Sequence, residues 1–194
     1  MAREKISLIS LVGMEGSGKT TVAKSLVESL SYTYVCTGDM LREARNGPIG
    51  ELQEACEKLF TEHVYLPGPM LLEVVKQRFQ KDDINNGLIL DGGFRTLEET
   101  EGFKKMLSST GKDFKLNIFY LRVPRWKCME RLMGENGRKR SDDTLEGILK
   151  RAKEFDNNLG KRMSLIRTNF SLEIVDGDRP REEVFQSILT RVNR

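Results

Sequence analysis

The stretch GMEGSGKT at residues 13–20 follows the pattern G-x-x-x-x-G-K-[ST], in which a glycine-rich turn leads into a helix. Its glycines, Gly13, Gly16 and Gly18, leave room for successive backbone N–H groups to point inward and form a nest for anionic oxygens. The apolar run ISLISLV at residues 6–12 is typical of a buried parallel strand, and apolar residues recur at helical spacing after the turn. The sequence therefore predicts a phosphate-binding loop between a strand and a helix.

The side chains of this loop indicate which anion it binds. Lys19 places a positive charge toward the β- and γ-phosphates of a nucleoside triphosphate. The hydroxyl of Thr20 is placed to ligate Mg²⁺, and Thr21 can reach an inner phosphate oxygen. With the backbone of the loop, including Ser17, these groups predict an ATP site with Mg²⁺ as cofactor. The alternative is a glycine-rich turn that holds no ligand.

Length and charge limit the classes of protein to consider. The 194 residues suit one α/β domain with a substantial core, and the 31% of charged residues nearly cancel to a formal net charge of +3. This balance fits an anionic small molecule, whereas a nucleic-acid-binding protein usually carries a one-sided basic face. We therefore expect small-molecule nucleotides as partners, no nucleic acid, and a monomer.

The cysteines and the N-terminal segment bear on the cellular setting. Cys36, Cys56 and Cys128 lie far apart and form no C-x-x-C pair, which predicts reduced, mostly buried thiols and no structural zinc. The apolar run at residues 6–12 is too short for a signal peptide or a membrane span, so we expect a cytoplasmic protein without a membrane partner. His63, the only histidine, has no recognisable Ser or Cys nucleophile, which disfavours a hydrolytic triad.

Strand-like and helical segments alternate to the end of the chain. This alternation predicts a three-layer α/β fold of the P-loop NTPase type, with a five-stranded parallel sheet. After residues 6–12, the predicted strands are residues 34–36, 88–90, 116–121 and 171–175. Ligands are expected where these strands end, because the phosphate-binding loop already lies at that edge.

Two stretches interrupt the alternation. Residues 38–69 have helical patterning with Gly and Pro punctuation but no strand, which predicts a small helical insert. Residues 134–140, GENGRKR, are polar and basic and predict a mobile flap over the phosphate site. An ordinary solvated loop and a nuclear-localisation-like run remain open as alternatives.

One long helix is expected after Asp142 and Asp143. Its docking on the core is indicated by apolar residues at helical spacing. These are Leu145, Ile148, Leu149, Ala152, Phe155, Leu159, Met163 and Ile166.

A carboxylate and several arginines are candidates for phosphoryl-group chemistry. Asp91 follows the apolar triplet at residues 88–90, so it lies where a strand ends and a metal-bound water needs a partner, although Asp before two glycines also forms turns. Transfer of a phosphoryl group spreads negative charge over oxygens that placed cations stabilise. The arginines in segments bordering the loop are Arg42, Arg95, Arg131, Arg138, Arg140 and Arg151.

Further motifs, in order along the chain, amount to a family resemblance. TGDMLR at residues 37–42, LDGGFRT at 90–96, RSDD at 140–143 with Arg151 beyond it, and VDG at 175–177 accompany the phosphate-binding loop. In their order and spacing they resemble the signatures of the adenylate kinase family of nucleoside monophosphate kinases. The resemblance covers essentially the whole chain. The first of these motifs is specific, and the others match imperfectly.

The resemblance implies a division of the single domain, residues 1–194. The core would comprise residues 1–37, 70–130 and 142–194, with an acceptor-binding insert at 38–69 and a short lid, not of the zinc-bearing type, at 131–141.

The resemblance also implies roles for individual residues. The acceptor nucleotide would be held by Thr37, Gly38, Leu41, Arg42, Leu66, Arg95 and Glu99, with Leu41 and Leu66 flanking the base. The donor phosphates would be held by the loop with Arg131, Arg138 and Arg140. Lys19, Arg95, Arg140 and Arg151 would act on the transferring group, and Asp142 and Asp143 would orient the lid arginines.

Three departures from the family pattern affect these expectations. Gly93-Phe94 stands where the family usually has an aromatic residue and a proline, which bears on how Arg95 is oriented. Glu135 stands where a lid arginine is common. Glu99 stands where glutamine usually reads adenine, and because a carboxylate only accepts hydrogen bonds it predicts a weaker or less exclusive preference for AMP over GMP. Alternatively, Thr96 to Glu99 form a capping box that begins the next helix.

The expected activity is transfer of the γ-phosphoryl group of Mg-ATP to a nucleoside monophosphate. AMP is the acceptor that the resemblance favours, and other monophosphates remain open. The alternatives are a nucleotide-responsive interaction protein that binds ATP without transfer, and a kinase of another small acceptor.

Overall fold

The apolar runs of the sequence form a parallel sheet that helices cover on both faces. The computed structural model describes residues 5–134 and 144–192. Its strands are β1 (Ile6–Val12), β2 (Thr33–Cys36), β3 (Leu88–Asp91), β4 (Phe114–Arg122) and β5 (Ser171–Asp176). Its helices are α1 (Lys19–Leu30), α2 (Thr37–Arg45), α3 (Glu51–Glu62), α4 (Gly68–Phe79), α5 (Leu97–Ser109), α6 (Arg125–Met133), α7 (Leu145–Asn157), α8 (Leu159–Asn169) and α9 (Arg181–Val192).

The strand order places the first strand at the centre of the sheet. The order is β2-β3-β1-β4-β5 with every pair parallel, and β1 runs alongside β3 from Leu8 opposite Leu88 and alongside β4 from Ile6 opposite Phe114. The chain leaves β1 toward one side of the sheet and later returns to its other side. Such a reversal opens a crevice at the carboxyl ends of the strands, and the phosphate-binding loop lies there.

Successive residues of the central strands face opposite layers. Leu8 of β1 and Leu88 of β3 belong to a core shared with α2, α3, α4, α5 and α8. Their neighbours Ile9 and Ile89 belong to a core shared with α1 and α9. Because both faces are covered, the strands read as continuous apolar runs, as expected of a buried parallel sheet. No helix in residues 5–134 and 144–192 is long and apolar enough to cross a membrane.

The expected fold class is confirmed, and each of the five strands lies within two residues of its predicted bounds. Residues 38–69 form α2, α3 and the start of α4 and contain no strand, as the patterning predicts.

The expectation of one long helix after the lid is wrong. The segment forms two helices, because Asn158 adopts φ −125° and ψ 17° and serves as the last cap of α7 and the first cap of α8. Asparagine favours such caps, since its side chain competes with the helical backbone for hydrogen bonds. The apolar stripe is also narrower than expected: Ile148 is buried, whereas Leu145 and Leu149 are exposed.

Candidate active site

The phosphate-binding loop has the backbone that its glycines predict. Gly16 has φ +81°, and a Cβ atom there would collide with the carbonyl oxygen of Cys128 on α6. Gly18 has φ +92° and precedes α1, whose N-terminus is capped by no side chain of the described residues. An anion can take the place of that cap, because backbone N–H groups and the helix dipole both favour negative charge there.

Lys19 lies folded over the loop. Its Nζ donates hydrogen bonds to the carbonyl oxygens of Gly13, at 2.7 Å, and Met14, at 2.9 Å. Burial lowers the pKa of Lys19, an effect that the charge of Asp91 opposes. The ammonium group therefore donates hydrogen bonds to two neutral carbonyls, which a phosphate oxygen can replace as a stronger acceptor.

Thr20 and Asp91 lie next to each other, as the sequence predicts for a magnesium site. The hydroxyl of Thr20 donates to Oδ2 of Asp91 at 2.6 Å, and the hydroxyl of Tyr34 donates to the same oxygen at 2.9 Å. Asp91 ends β3 beside the loop and is only 3% exposed. A hydroxyl and a carboxylate at the edge of an anion site are hard oxygen ligands, so this pair fits Mg²⁺, directly or through water.

A cavity of about 650 Å³ lies at the carboxyl edge of the sheet and joins these groups to the helical insert. This volume is in the range usual for small-molecule sites. The sequence-predicted residues on its wall are Gly16, Gly18, Lys19, Thr20, Thr21, Gly38, Leu41, Arg42, Asp91, Arg95, Arg131 and Arg151. Gly13 and Ser17 belong to the loop without lining the cavity.

Two arginines on the wall lie against the phosphate-binding loop. Nε of Arg151, on α7, is 3.1 Å from Oε2 of Glu15. Its Nη1 is 3.3 Å from Nδ1 of His63, which follows α3. Nη1 of Arg131, on α6, is 3.5 Å from the carbonyl oxygen of Gly16. These cations therefore lie where they can interact with an anion bound in the loop.

Two further arginines lie toward the insert. Nη1 of Arg42 forms an ion pair with Asp39 at 2.7 Å, and its guanidinium carbon is 5.8 Å from the ring centre of Phe60. The guanidinium of Arg95 lies 5.9 Å from the ring centre of Tyr65. Cations and aromatic rings thus alternate along this part of the wall, which suits a ligand with a phosphate at one end and a flat base at the other.

Several wall residues have no individual binding role among the sequence-based expectations. They are Glu15, Cys36, Leu59, Phe60, Val64, Tyr65, Glu130, Leu132, Gly134 and Arg181. The helical spacing within residues 51–62 could have indicated that Leu59 and Phe60 face one side of α3. Arg181, at the start of α9, carries no comparable signal, because its approach depends on the packing of the last helix.

Two predicted acceptor residues lie behind the wall. Thr37 is fully buried, and its hydroxyl donates to the carbonyl oxygen of Gly92. Leu66 is 3% exposed and packs in the core beneath the insert, while its neighbour Tyr65 faces the cavity. The side chain of Leu66 is therefore buried beneath the insert and does not line the cavity, which does not match its expected place beside the base.

Glu99 requires a second correction. Its carboxylate is 1% exposed, and its two oxygens accept hydrogen bonds from the backbone N–H groups of Phe94 and Arg95, each at 2.7 Å. Burial raises the pKa of Glu99, which these N–H groups and the charge of Arg95 oppose. The carboxylate is directed into the protein and not toward the cavity, so the base-reading expectation is wrong.

The alternative interpretation of this segment, a helix cap, is confirmed. Thr96 is the N-cap of α5, and its hydroxyl oxygen accepts a hydrogen bond from the backbone N–H of Glu99 at 3.1 Å. The pattern T-x-x-E thus begins a helix, as a capping box does. The predicted lid residues Glu135, Arg138, Arg140, Asp142 and Asp143 lie outside the described residues.

Comparisons with known proteins identify relatives along almost the whole chain. A family model described as an AAA domain matches residues 12–149. An adenylate kinase of Cyanothece sp. is 30% identical over 181 residues, which cover 92% of this chain and 91% of the relative. An adenylate kinase of Thermosynechococcus vestitus is 32% identical over 187 residues, covering 94% of this chain and 95% of the relative. An adenylate kinase of Trichodesmium erythraeum is 29% identical over 189 residues, which cover 94% of this chain and 96% of the relative.

Proposed function

The chain belongs to the adenylate kinase family of nucleoside monophosphate kinases, and from this premise we propose that it transfers the γ-phosphoryl group of Mg-ATP to AMP. The chain is a phosphotransferase of this family, and the proposal adds the donor, the metal and the acceptor. The observation that carries it is one cavity that connects the phosphate-binding loop with Arg42, Arg95 and the aromatic rings of the insert. Direct transfer between two nucleotides requires both to lie in one enclosed space.

The donor occupies the loop side of the cavity in this proposal. The β- and γ-phosphates lie in the loop, where Lys19 exchanges the carbonyls of Gly13 and Met14 for phosphate oxygens. Thr20 and Asp91 would hold Mg²⁺, which would neutralise phosphate charge when bound. Arg131 completes the donor site among the described residues, and a donor-binding role for Arg138 and Arg140 in a lid at residues 131–141 stays a prediction.

The acceptor occupies the side formed by residues 38–69, which we propose as the acceptor-binding insert. Its phosphate lies between Arg42 and Arg95, and its base lies among the apolar and aromatic side chains. These are Leu41, Leu59, Phe60, Val64 and Tyr65. In this arrangement, Arg95 and Arg151 face the transferring group from the acceptor and donor sides.

The reaction requires no strong general base at this site. The nucleophile is an oxygen of the acceptor phosphate, which is already largely ionised near neutral pH because a phosphate monoester has a second pKa of about 6. Burial raises the pKa of Tyr65 to about 12, so the tyrosine on the wall stays protonated there. Catalysis therefore rests on positioning and on fixed positive charge, to which the described residues contribute Lys19, Arg42, Arg95, Arg131 and Arg151.

A panel of acceptors tests the proposal. Formation of ADP from Mg-ATP is measured with AMP, GMP, CMP and UMP in turn, and Lys19→Ala serves as the background. We expect AMP to give the highest kcat/KM. Binding of ATP without transfer to any acceptor would contradict the proposal and favour a nucleotide-responsive interaction protein. Transfer only to another small phosphorylated acceptor would replace AMP while keeping the donor site.

A further inference from the structure

The turn that precedes Arg95 has a backbone that its own sequence does not enforce. Phe94 adopts the left-handed region with φ +59°, a conformation that disfavours residues with a side chain. The preceding residues are Gly92, at φ +89°, and Gly93, and the turn contains no proline. A flexible sequence is therefore held in an unfavourable conformation immediately before an arginine of the cavity wall. Such conformations persist when neighbouring groups over-determine them.

One group that holds the turn is the carboxylate of Glu99. As described above, its two oxygens accept hydrogen bonds from the N–H groups of Phe94 and Arg95. Bonds between a carboxylate and backbone N–H groups are charge-assisted and strong. They fix the nitrogen side of two successive peptide units.

The second group is the guanidinium of Arg162, on α8. Nη1 donates to the carbonyl oxygen of Phe94 at 2.5 Å, and Nη2 donates to the carbonyl oxygen of Phe155 on α7. The guanidinium carbon also lies 4.5 Å from the ring centre of Phe155. Phe94 is thus held at its N–H by an acidic side chain of α5 and at its carbonyl by a basic side chain of α8.

Arginine is unusual at a fully buried position. Arg162 is completely buried, and among residues 5–134 and 144–192 it forms no salt bridge and its Nε has no hydrogen-bond partner. Burying a cation without an oppositely charged partner is costly, because the charge loses its hydration. Met163, the next residue, and Ile166, one turn further along α8, are buried in the apolar core, so Arg162 lies in apolar surroundings.

We propose that Arg162 is a positioning residue that, together with Glu99, fixes the turn at residues 92–94 and thereby directs Arg95 into the acceptor side of the cavity. Arg162 does not line the cavity, so it acts on the reaction through Arg95 and not by contact with a nucleotide. The inference rests on the proposed function, because it assigns Arg95 to the acceptor phosphate. It predicts that loss of Arg162 impairs use of the acceptor while ATP binding is retained.

Steady-state kinetics of three variants test this role. Arg162→Met removes the donors at similar volume, and Arg162→Lys keeps the charge and a shorter donor. We expect Arg162→Met to lower kcat/KM for AMP roughly ten- to hundred-fold, since small displacements of a placed charge have effects of that size. The fall in kcat/KM for AMP should be smaller for Arg162→Lys. In both Arg162 variants, the Kd for ATP should change less than about two-fold. Arg78→Met, which breaks an exposed ion pair with Asp83 far from the cavity, is the matched control and should leave kcat/KM for AMP unchanged.

A double-mutant cycle separates positioning from a general loss of structure. If Arg162 acts through Arg95, then Arg162→Met should have little further effect on kcat/KM in an Arg95→Ala background. A full and independent effect in that background, or equal weakening of AMP and ATP, would overturn the proposal. Should Arg162→Met fail to fold, the same cycle with Arg162→Lys decides. Absence of transfer by the wild type would refute the proposed function itself, whereas active wild type with unaffected Arg162 variants would refute only the positioning role.

Discussion

At the scale of single residues, Lys19 is expected to matter for catalysis and not for folding. Within residues 5–134 and 144–192, the hydrogen bonds of Lys19 go to two carbonyls of its own loop. Its removal should therefore leave the fold intact while it removes a cation from the phosphates. We expect Lys19→Ala to lower kcat by about 10³-fold or more. Kinetics and circular dichroism of this variant beside Lys24→Ala, an exposed lysine of the same helix, provide the check. Near-normal turnover in folded Lys19→Ala would rule out the phosphate-site assignment.

Glu99 leads to the opposite expectation, a structural effect without a change in base preference. Glu99→Gln replaces an acceptor-only group by an amide whose NH₂ cannot accept from a backbone N–H. One of the N–H groups of Phe94 and Arg95 then loses its partner, so the free energy of unfolding should fall by about 1–3 kcal/mol. The ratio of kcat/KM for AMP to that for GMP should stay constant. Denaturant unfolding and the two acceptors measure both effects, and a shift of that ratio toward AMP would restore the base-reading role.

At the scale of elements, the end of α3 and the residues that follow it contact α7. Nζ of Lys150 donates to the carbonyl oxygen of Glu62 at 2.5 Å, and the hydroxyl of Tyr65 donates to the carbonyl oxygen of Arg151 at 3.3 Å. His63 lies 3.2 Å from the hydroxyl of Thr144, the N-cap of α7. The end of the insert and the helix that carries Arg151 are therefore linked by a short row of polar contacts.

The pH dependence of stability reports on one of these contacts. Burial raises the pKa of Tyr65 from about 10 to about 12, so the neutral hydroxyl favours the folded state. Its contribution is fully present below pH 10 and is lost as the pH rises from 10 through 12, amounting to roughly 2–3 kcal/mol. The free energy of unfolding should fall more steeply over this window in the wild type than in Tyr65→Phe. Parallel pH profiles for the two proteins would show that the hydroxyl is not buried as described.

The same scale shows what could be predicted from the sequence and why the rest could not. The strands can be predicted because their apolar runs are short and bounded by turns. The phosphate-binding loop can be predicted because the residues that form it are consecutive in the sequence. The division of the helix at Asn158 and the orientations of Leu66 and Glu99 depend on tertiary packing. A short sequence motif contains no information about that packing. Arg162 leaves no sequence signal, because its partners lie seven and 68 residues away in the chain.

At the scale of the whole molecule, we propose that one cavity holds the donor and the acceptor nucleotide together. The loop at the carboxyl edge of the sheet and the helical insert form opposite sides of a space of about 650 Å³. A ligand that spans both sides gains the second interaction as an intramolecular step, so its affinity should exceed that of either nucleotide alone by about 10²-fold or more. A protein with a donor site only would bind such a ligand no better than ATP.

The most direct measurement is inhibition by a bisubstrate analogue in which two adenosines are joined through five phosphates. We expect the analogue to compete with ATP and also with AMP, with an inhibition constant well below the Kd of either nucleotide. The analogue should also protect residues 38–69 from amide exchange, whereas ATP alone should not. Competition with ATP alone, without tighter binding and without protection of the insert, would contradict the shared site.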